Sequence, residues 1–241
     1  VESVEDILRG RLAAVEARIA AACDRSGRRR EDVTLVAVTK TVGVEVARAL
    51  LKLGVVDLAE SRPQELWTKA EAIPDARWHL VGHLQRNKVE RTVPLAAMIH
   101  AVDSVRLLEE IEAACRRRCV HLPVLLEVNA SGEAAKQGFA PDEVAALADT
   151  INAVTAVRVC GLMTMAAYVE DQEATRPTFA LLRGLLGELR ERCPGHALGH
   201  LSMGMSNDFE VAIEEGATLI RLGTVLFEGL DSLREGLPCS P

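Results

Sequence analysis

The chain has 241 residues, of which 49% are apolar and only 3% aromatic, and a formal net charge of −7. Such a core must be filled with Val, Leu, Ile and Ala, the usual content of parallel strands buried on both faces. The acidic balance argues against a general nucleic-acid binder, which needs a basic surface to neutralise phosphates, and no apolar run approaches the roughly 18 residues that span a bilayer.

Ser3 followed by Asp6 reads as a helix start close to a capping box, and Val4, Ile7, Leu8, Leu12, Val15 and Ile19 then recur at helical spacing. This predicts an N-terminal helix over about residues 3–24. Its acidic, amphipathic beginning is unlike a secretory signal, and the local Arg28-Arg29-Arg30 run after it is expected as a solvated loop. Eight short apolar, β-branched runs follow, at Thr34–Lys40, Val55–Ser61, Arg77–His83, Met98–Ser104, Pro123–Asn129, Val157–Met165, His200–Ser206 and Thr218–Phe227. Between most of them lie amphipathic helical stretches: Val44–Leu53, Gln64–Ala72, Gln85–Arg91, Val105–Arg118, Asp142–Ala153, Gln172–Arg192 and Asp208–Glu215. The cysteines at 23, 115, 119, 160, 193 and 239 form no CxxC pair and no disulfide framework, which fits a cytoplasmic protein. Cys115 and Cys119, four apart, are expected to pack on one helix face.

Regular alternation of strand and helix implies parallel strands joined by crossover helices, and eight units predict one closed (β/α)8 barrel domain over 1–241 with an added N-terminal helix. An open doubly wound sheet is the alternative. The first strand-to-helix turn, Val38-Thr39-Lys40-Thr41-Val42-Gly43, carries neither a GxGxxG nor a GxxxxGK[ST] fingerprint, which weakens a nucleotide-binding reading.

In a barrel the chemistry sits at the C-terminal ends of the strands. The first strand ends in Lys40, which alternation places on one face with Val36 and Val38. A lysine against apolar walls loses hydration, which favours the neutral, nucleophilic amine that forms Schiff bases; a snorkelling strand-end lysine is the plain alternative. Ser202–Ser206 and Arg221–Thr224 end the seventh and eighth strands, where barrels often bind a phosphate, and a helix predicted from Asp208 adds backbone amides. Arg221, inside Leu219-Ile220-Arg221-Leu222, needs an acceptor: a strand-end carboxylate such as Glu127, or a ring nitrogen. His79 and His83 are expected on one face of the third strand as core or cofactor-contact histidines with no obvious acidic partner; His200 is expected at the far rim. Lys136, in the loop Ser131–Phe139, reads as a solvated charge or a mobile cation near the mouth, and Lys88 is a further candidate amine. No metal site is expected.

The segments Ala37-Val38-Thr39-Lys40, Trp78-His79-Leu80-Val81-Gly82-His83-Leu84-Gln85-Arg86-Asn87-Lys88, Val128-Asn129-Ala130-Ser131-Gly132-Glu133, Gly161-Leu162-Met163-Thr164-Met165, Leu201-Ser202-Met203-Gly204-Met205-Ser206 and Arg221-Leu222-Gly223-Thr224 resemble the pyridoxal phosphate homeostasis proteins nearly end to end. That resemblance implies the barrel of alanine racemase without its second domain, and pyridoxal 5′-phosphate held as a Schiff base on Lys40. It implies that Ser202, Gly204, Ser206, Gly223 and Thr224 surround the phosphate and that Arg221 faces the pyridine nitrogen, with Ser61, His83, Met163 and Met203 as further cofactor contacts. Where the family reads Gly-Glu-Asn at the second strand end, this chain has Ala59-Glu60-Ser61, a shorter hydroxyl in place of the asparagine.

An arginine can only donate, so the ring nitrogen it meets stays unprotonated and the ring is a poor electron sink. Racemisation needs a base on each face. Lys40 could supply one, but alanine racemase takes its tyrosine from the missing domain, and the only tyrosine here, Tyr168, lies past the sixth strand. The expectation is therefore a carrier and buffer of pyridoxal phosphate, with apo enzymes as candidate recipients and no nucleic-acid or membrane partner; the resemblance implies a part in vitamin B6 and amino-acid homeostasis and a monomer, with a dimer as the alternative. The alternatives are an amino-acid racemase or other minor pyridoxal phosphate enzyme, and a cofactor-free interaction protein.

Overall fold

Eight short strands close on themselves: β1 (Thr34–Val38), β2 (Asp57–Glu60), β3 (Arg77–Leu80), β4 (Met98–Val102), β5 (Leu122–Glu127), β6 (Val157–Met163), β7 (His200–Ser202) and β8 (Leu219–Leu222). Each pairs in parallel with the next, and β8 returns to β1 with Val36 opposite Arg221, so the sheet is a barrel and not an open doubly wound sheet. The computed structural model describes residues 3–133 and 136–230; the remainder of the expected 1–241 domain, including Cys239, lies outside the described residues.

Around the barrel run α1 (Val4–Arg25), α2 (Val44–Lys52), α3 (Pro63–Ala72), α4 (Val89–Thr92), α5 (Val105–Arg118), α6 (Ala148–Ala153), α7 (Arg176–Arg192), α8 (Phe209–Glu214) and α9 (Thr224–Phe227). Helix α1 starts where expected, with Ser3 Oγ accepting the Asp6 amide at 3.2 Å, and buries Leu8, Leu12, Val15 and Ile19 against α2, α8 and α9. Among the described residues no helix is long and apolar enough to cross a membrane.

Four predicted elements change form. The helix expected at Gln85–Arg91 is a 3-10 turn at Arg86–Lys88 followed by the single turn of α4, and those expected at Asp142–Ala153 and Gln172–Arg192 begin as 3-10 turns at Pro141–Leu147 and Gln172–Thr175. The eighth run does not stay extended to Phe227: Gly223 turns the chain and α9 begins at once. Cys115 and Cys119 do not share a face, because α5 ends at Arg118 and Cys119 adopts a left-handed φ of 52°, leaving it exposed while Cys115 is buried.

The strands also stop short of their predicted C-terminal ends; β7, for example, ends at Ser202 rather than Ser206. The lost residues form the mouth loops, where side chains are freed from strict alternation. Most of the apolar core lies between strands and helices. The barrel interior holds a much smaller apolar set, Val36, Val38, Ala59, Ala101, Leu125, Met163 and Leu219. Beside it lie buried Asp57, His79, His100, Glu127, Ser202 and Arg221.

Candidate functional site

The mouth is organised around the seam where β8 meets β1. Pairing of Ala37 with Leu222 sets Gly223 beside the end of β1, close enough that a Cβ on Gly223 would stand 3.4 Å from the Val38 carbonyl oxygen. Lys40 follows two residues beyond Val38, exposed at the rim. It lines a cavity of about 350 Å³ with Thr41, Glu60, Ser61, Arg62 and Glu65. The apolar enclosure expected around Lys40 is therefore not there; its surroundings are polar.

Behind this turn, Lys69 of α3 is buried and fully engaged. Its Nζ donates to the carbonyls of Thr39 at 2.7 Å and Val42 at 2.8 Å and pairs with Glu60 Oε1 at 2.5 Å, while Thr39 Oγ1 donates to the same oxygen at 2.6 Å. The two carbonyls bracket Lys40, so the Lys69 ammonium pins the turn that presents it. Ser61, half-buried, lies against Gly82: a Cβ there would come within 2.2 Å of the Ser61 carbonyl oxygen, which requires glycine.

Across the seam, the Ser206 hydroxyl accepts from the backbone amides of Gly223 and Val225, each at 3.3 Å. Two amides converging on one oxygen, with Thr224 between them, form a site suited to an anionic oxygen. The start of α8 is less suited to an anion, because the buried Asp208 carboxylate already accepts the Met205 amide at 2.6 Å. Burial raises the pKa of Asp208 above the usual aspartate range.

Ser202 and Gly204, expected around the phosphate, and Met203, expected as a further cofactor contact, each have protein partners of their own. Ser202 is the last residue of β7 and points into the barrel, fully buried, where Arg221 Nη1 donates to its Oγ at 2.6 Å and His100 Nδ1 lies 2.8 Å away. The Met203 side chain packs in the outer core against the helices. Gly204, at φ +91°, backs onto α8, with a Cβ there 2.6 Å from the Ala212 Cβ, and its carbonyl accepts the Arg221 amide. The end of β7 at Ser202 divides two serines that unbroken alternation would put on one face: Ser202 points inward and Ser206 lies in the loop.

Arg221 forms no direct pair with Glu127. Its guanidinium, buried beneath the mouth, donates to Ser202 Oγ and, from Nη2, to the Thr164 carbonyl at 2.9 Å. Burial lowers its pKa to about 10, with Asp208 and Glu127 pulling it back up, so it remains a cation at neutral pH. Glu127 sits inside the mouth on β5, and burial, then the neighbouring Asp103, raise its carboxyl above the usual range. Met163, fully buried, is part of the apolar floor.

His79 and His83 part company because β3 ends between them. His83 is exposed in the loop, its Nδ1 2.8 Å from Asp103 Oδ2, in a cavity of about 440 Å³ lined also by Arg86, Ser104 and Arg106. His79 is buried between Asp57 and His100. Both histidines thus have an acidic partner, contrary to expectation. His200 opens β7 and meets Thr218 Oγ1 at 3.1 Å, and burial lowers its pKa. Lys136 reaches the mouth: it pairs with Glu133 and donates to the Met165 carbonyl at 3.1 Å. Tyr168 is 84% exposed.

Residues 11–231 match the model of the alanine racemase N-terminal domain. A pyridoxal phosphate homeostasis protein of Aquifex aeolicus is 43% identical over 219 residues, covering 90% of this chain and 96% of its own length. The chain belongs to the pyridoxal phosphate homeostasis protein family. Among solved structures, a protein of unknown function from Bifidobacterium adolescentis aligns with a TM-score of 0.88 at 34% identity, covering 94% of this chain and 97% of its own. PipY of Synechococcus elongatus, solved with pyridoxal phosphate bound, aligns with a TM-score of 0.77 at 32% identity over 88% of this chain and 99% of its own. Asp57, His100 and Lys69 are brought together with the mouth residues only by the geometry.

Proposed function

We propose that this chain binds pyridoxal 5′-phosphate as a Schiff base on Lys40 and serves as a carrier and buffer of the cofactor in vitamin B6 and amino-acid homeostasis. The observation that carries this reading is the convergence, at one seam, of the Lys40 turn, the Gly223 and Val225 amides and the Arg221 guanidinium. The residues suit the group: the Gly223 and Val225 amides, which now meet the Ser206 hydroxyl, would take an anionic oxygen, Lys40 would supply the amine, and Arg221 would offer a donor to the ring nitrogen. When bound, the cofactor supplies an aldehyde that condenses with an amine, with loss of water.

Each residue has a part in that reading. Lys69 and Glu60 hold the turn that presents Lys40. The Gly223 and Val225 amides, with Ser206 and Thr224 beside them, would hold the anionic tail. Arg221 would donate a hydrogen bond to the ring nitrogen and, keeping its own proton at neutral pH, would leave that nitrogen unprotonated. The exposed position of Lys40 favours exchange with another amine and hence hand-over to apo enzymes. Ser61, His83 and Lys136 stand at the rim, where they meet whatever enters. The five described cysteines are unpaired thiols, three of them buried, which supports a cytoplasmic setting; a monomer without nucleic-acid or membrane partners completes the reading.

The test is titration of the purified chain with pyridoxal 5′-phosphate, followed by absorbance. A saturable imine band that Lys40→Ala abolishes supports the reading, and an unchanged band in Lys40→Ala contradicts it. Exchange of the α-proton of an added amino acid in heavy water, well above that given by free cofactor, would replace the carrier role with catalysis.

A further inference from the structure

A line of polar groups crosses the barrel interior from the end away from the mouth. Asp57 and Arg77 open β2 and β3 and are paired in register. Asp57 Oδ1 lies 2.9 Å from His79 Nε2, His79 Nδ1 lies 2.9 Å from His100 Nε2, and His100 Nδ1 lies 2.8 Å from Ser202 Oγ, which accepts from Arg221 Nη1 at 2.6 Å. Asp57, His79, His100, Ser202 and Arg221 are all buried. Arg77, largely exposed, pairs with the second Asp57 oxygen.

The two ends fix the direction of the line. A guanidinium can only donate and an ionised carboxylate can only accept. Burial works to raise the pKa of Asp57, but its hydrogen bonds to His79 and Arg77 outweigh that and keep it ionised. Between the ends stand a hydroxyl and two imidazoles, each of which, if neutral, accepts once and donates once. Arg221 therefore donates to Ser202, Ser202 to His100 Nδ1, His100 Nε2–H to His79 Nδ1, and His79 Nε2–H to Asp57. The reverse order needs a cationic His79 and leaves Ser202 accepting from both sides, its own proton without an acceptor in the line. Desolvation, with His79, Arg221 and His200 adding to it, pushes the His100 pKa far down, which agrees with the neutral form.

We propose that Asp57, His79 and His100 are positioning residues for Arg221, acting through Ser202 to hold the guanidinium plane so that its remaining N–H groups face the cofactor's ring nitrogen. This rests on the pyridoxal phosphate reading above. The Thr164 carbonyl is the second anchor of the same guanidinium, so loss of Ser202 leaves Arg221 held at one point and free to swing.

The first arm of the test needs no cofactor. Long-range nitrogen–proton correlation on the cofactor-free chain with labelled histidine reads the tautomers near pH 7. Both His79 and His100 are expected as neutral Nε2–H forms; an Nδ1–H form of either, or an imidazolium at His100, overturns the directed line whether or not any variant folds. The second arm measures release of pyridoxal 5′-phosphate. Ser202→Ala is expected to speed release about tenfold, the weight of a hydrogen bond to a charged group, and to shift the His100 Nδ1 resonance, with Ser202→Thr recovering most of the loss. Uptake by the unsubstituted chain with unchanged release from Ser202→Ala overturns the positioning role alone. No uptake by the unsubstituted chain overturns the cofactor reading and the positioning role with it, leaving the tautomers as a property of the barrel core.

Discussion

Behind β2, the Lys69 ammonium reaches one carboxylate and two carbonyls and goes no further; inside the barrel, Arg221 begins a line that continues through three side chains to Asp57. Both systems are buried and both stand beneath the same mouth, but the first is compact and the second extended. The Lys69 cluster fixes the shape of a turn, because every ammonium donor is used on that turn or on its neighbour Glu60. The Arg221 line fixes an orientation, because each member constrains the proton of the next. In the first, a lost partner strands a charge; in the second, most of the line survives and only its direction weakens.

That difference orders the expected effects of substitution. Lys69→Met removes the counter-charge of a fully buried Glu60 whose Oε2 already makes no hydrogen bond, and should lower stability by about 3–5 kcal/mol in urea unfolding. Adding Glu60→Gln to it should return a good part of that loss, since the stranded charge then disappears; equal losses in the single and double variants would show that the pair is not what holds the turn. Gly204→Ala strikes beside the Arg221 line, where the chain leaves β7 against α8: φ is +91° and a Cβ would meet Ala212 Cβ at 2.6 Å, so it should cost about 2 kcal/mol by the same measurement.

His100→Gln probes the line by pH. The folded pKa of His100 lies well below its ordinary 6.5, so its contribution to stability is complete above that value and is lost as pH falls below it. The unsubstituted chain should therefore lose stability between about pH 7 and pH 5 more steeply than His100→Gln. Glu127 works in the opposite sense, its raised pKa giving a contribution present at low pH and lost as pH rises, so the quantity to compare is the difference between the two proteins. Parallel pH curves would mean that His100 is not held neutral. The smallest effect is expected for Ser206→Ala, about 1 kcal/mol, because the Gly223 and Val225 amides it leaves stand at the partly open mouth and water can replace the hydroxyl.

The same contrast separates what the amino-acid order revealed from what it concealed. Eight strands and their order were legible because each is a short apolar run between helical stretches. Lys40 and Arg221 stood out as charges in apolar company, and both reach the mouth region. Asp57, after Val55-Val56, and His100, between Ile99 and Ala101, also stand in apolar company, but nothing in the amino-acid order shows that they meet through His79. Register shifts between Ile99 and Val102 and between Val124 and Leu125 disturb simple alternation across β4, β5 and β6. Ser202 and Ser206 read alike in the sequence because two serines in one run cannot be parted until the end of β7 is known. Lys69 was invisible because its partners come from β2 and from the turn after β1, a juxtaposition that only the packing of α3 against the barrel creates.

The most direct test of the central claim is chemical trapping. The chain is loaded with pyridoxal 5′-phosphate, reduced with borohydride, digested and mapped by mass. The account predicts that the reduced adduct falls on the peptide containing Lys40; an adduct confined to Lys136, Lys88 or another lysine, with Lys40 unmodified, would contradict it.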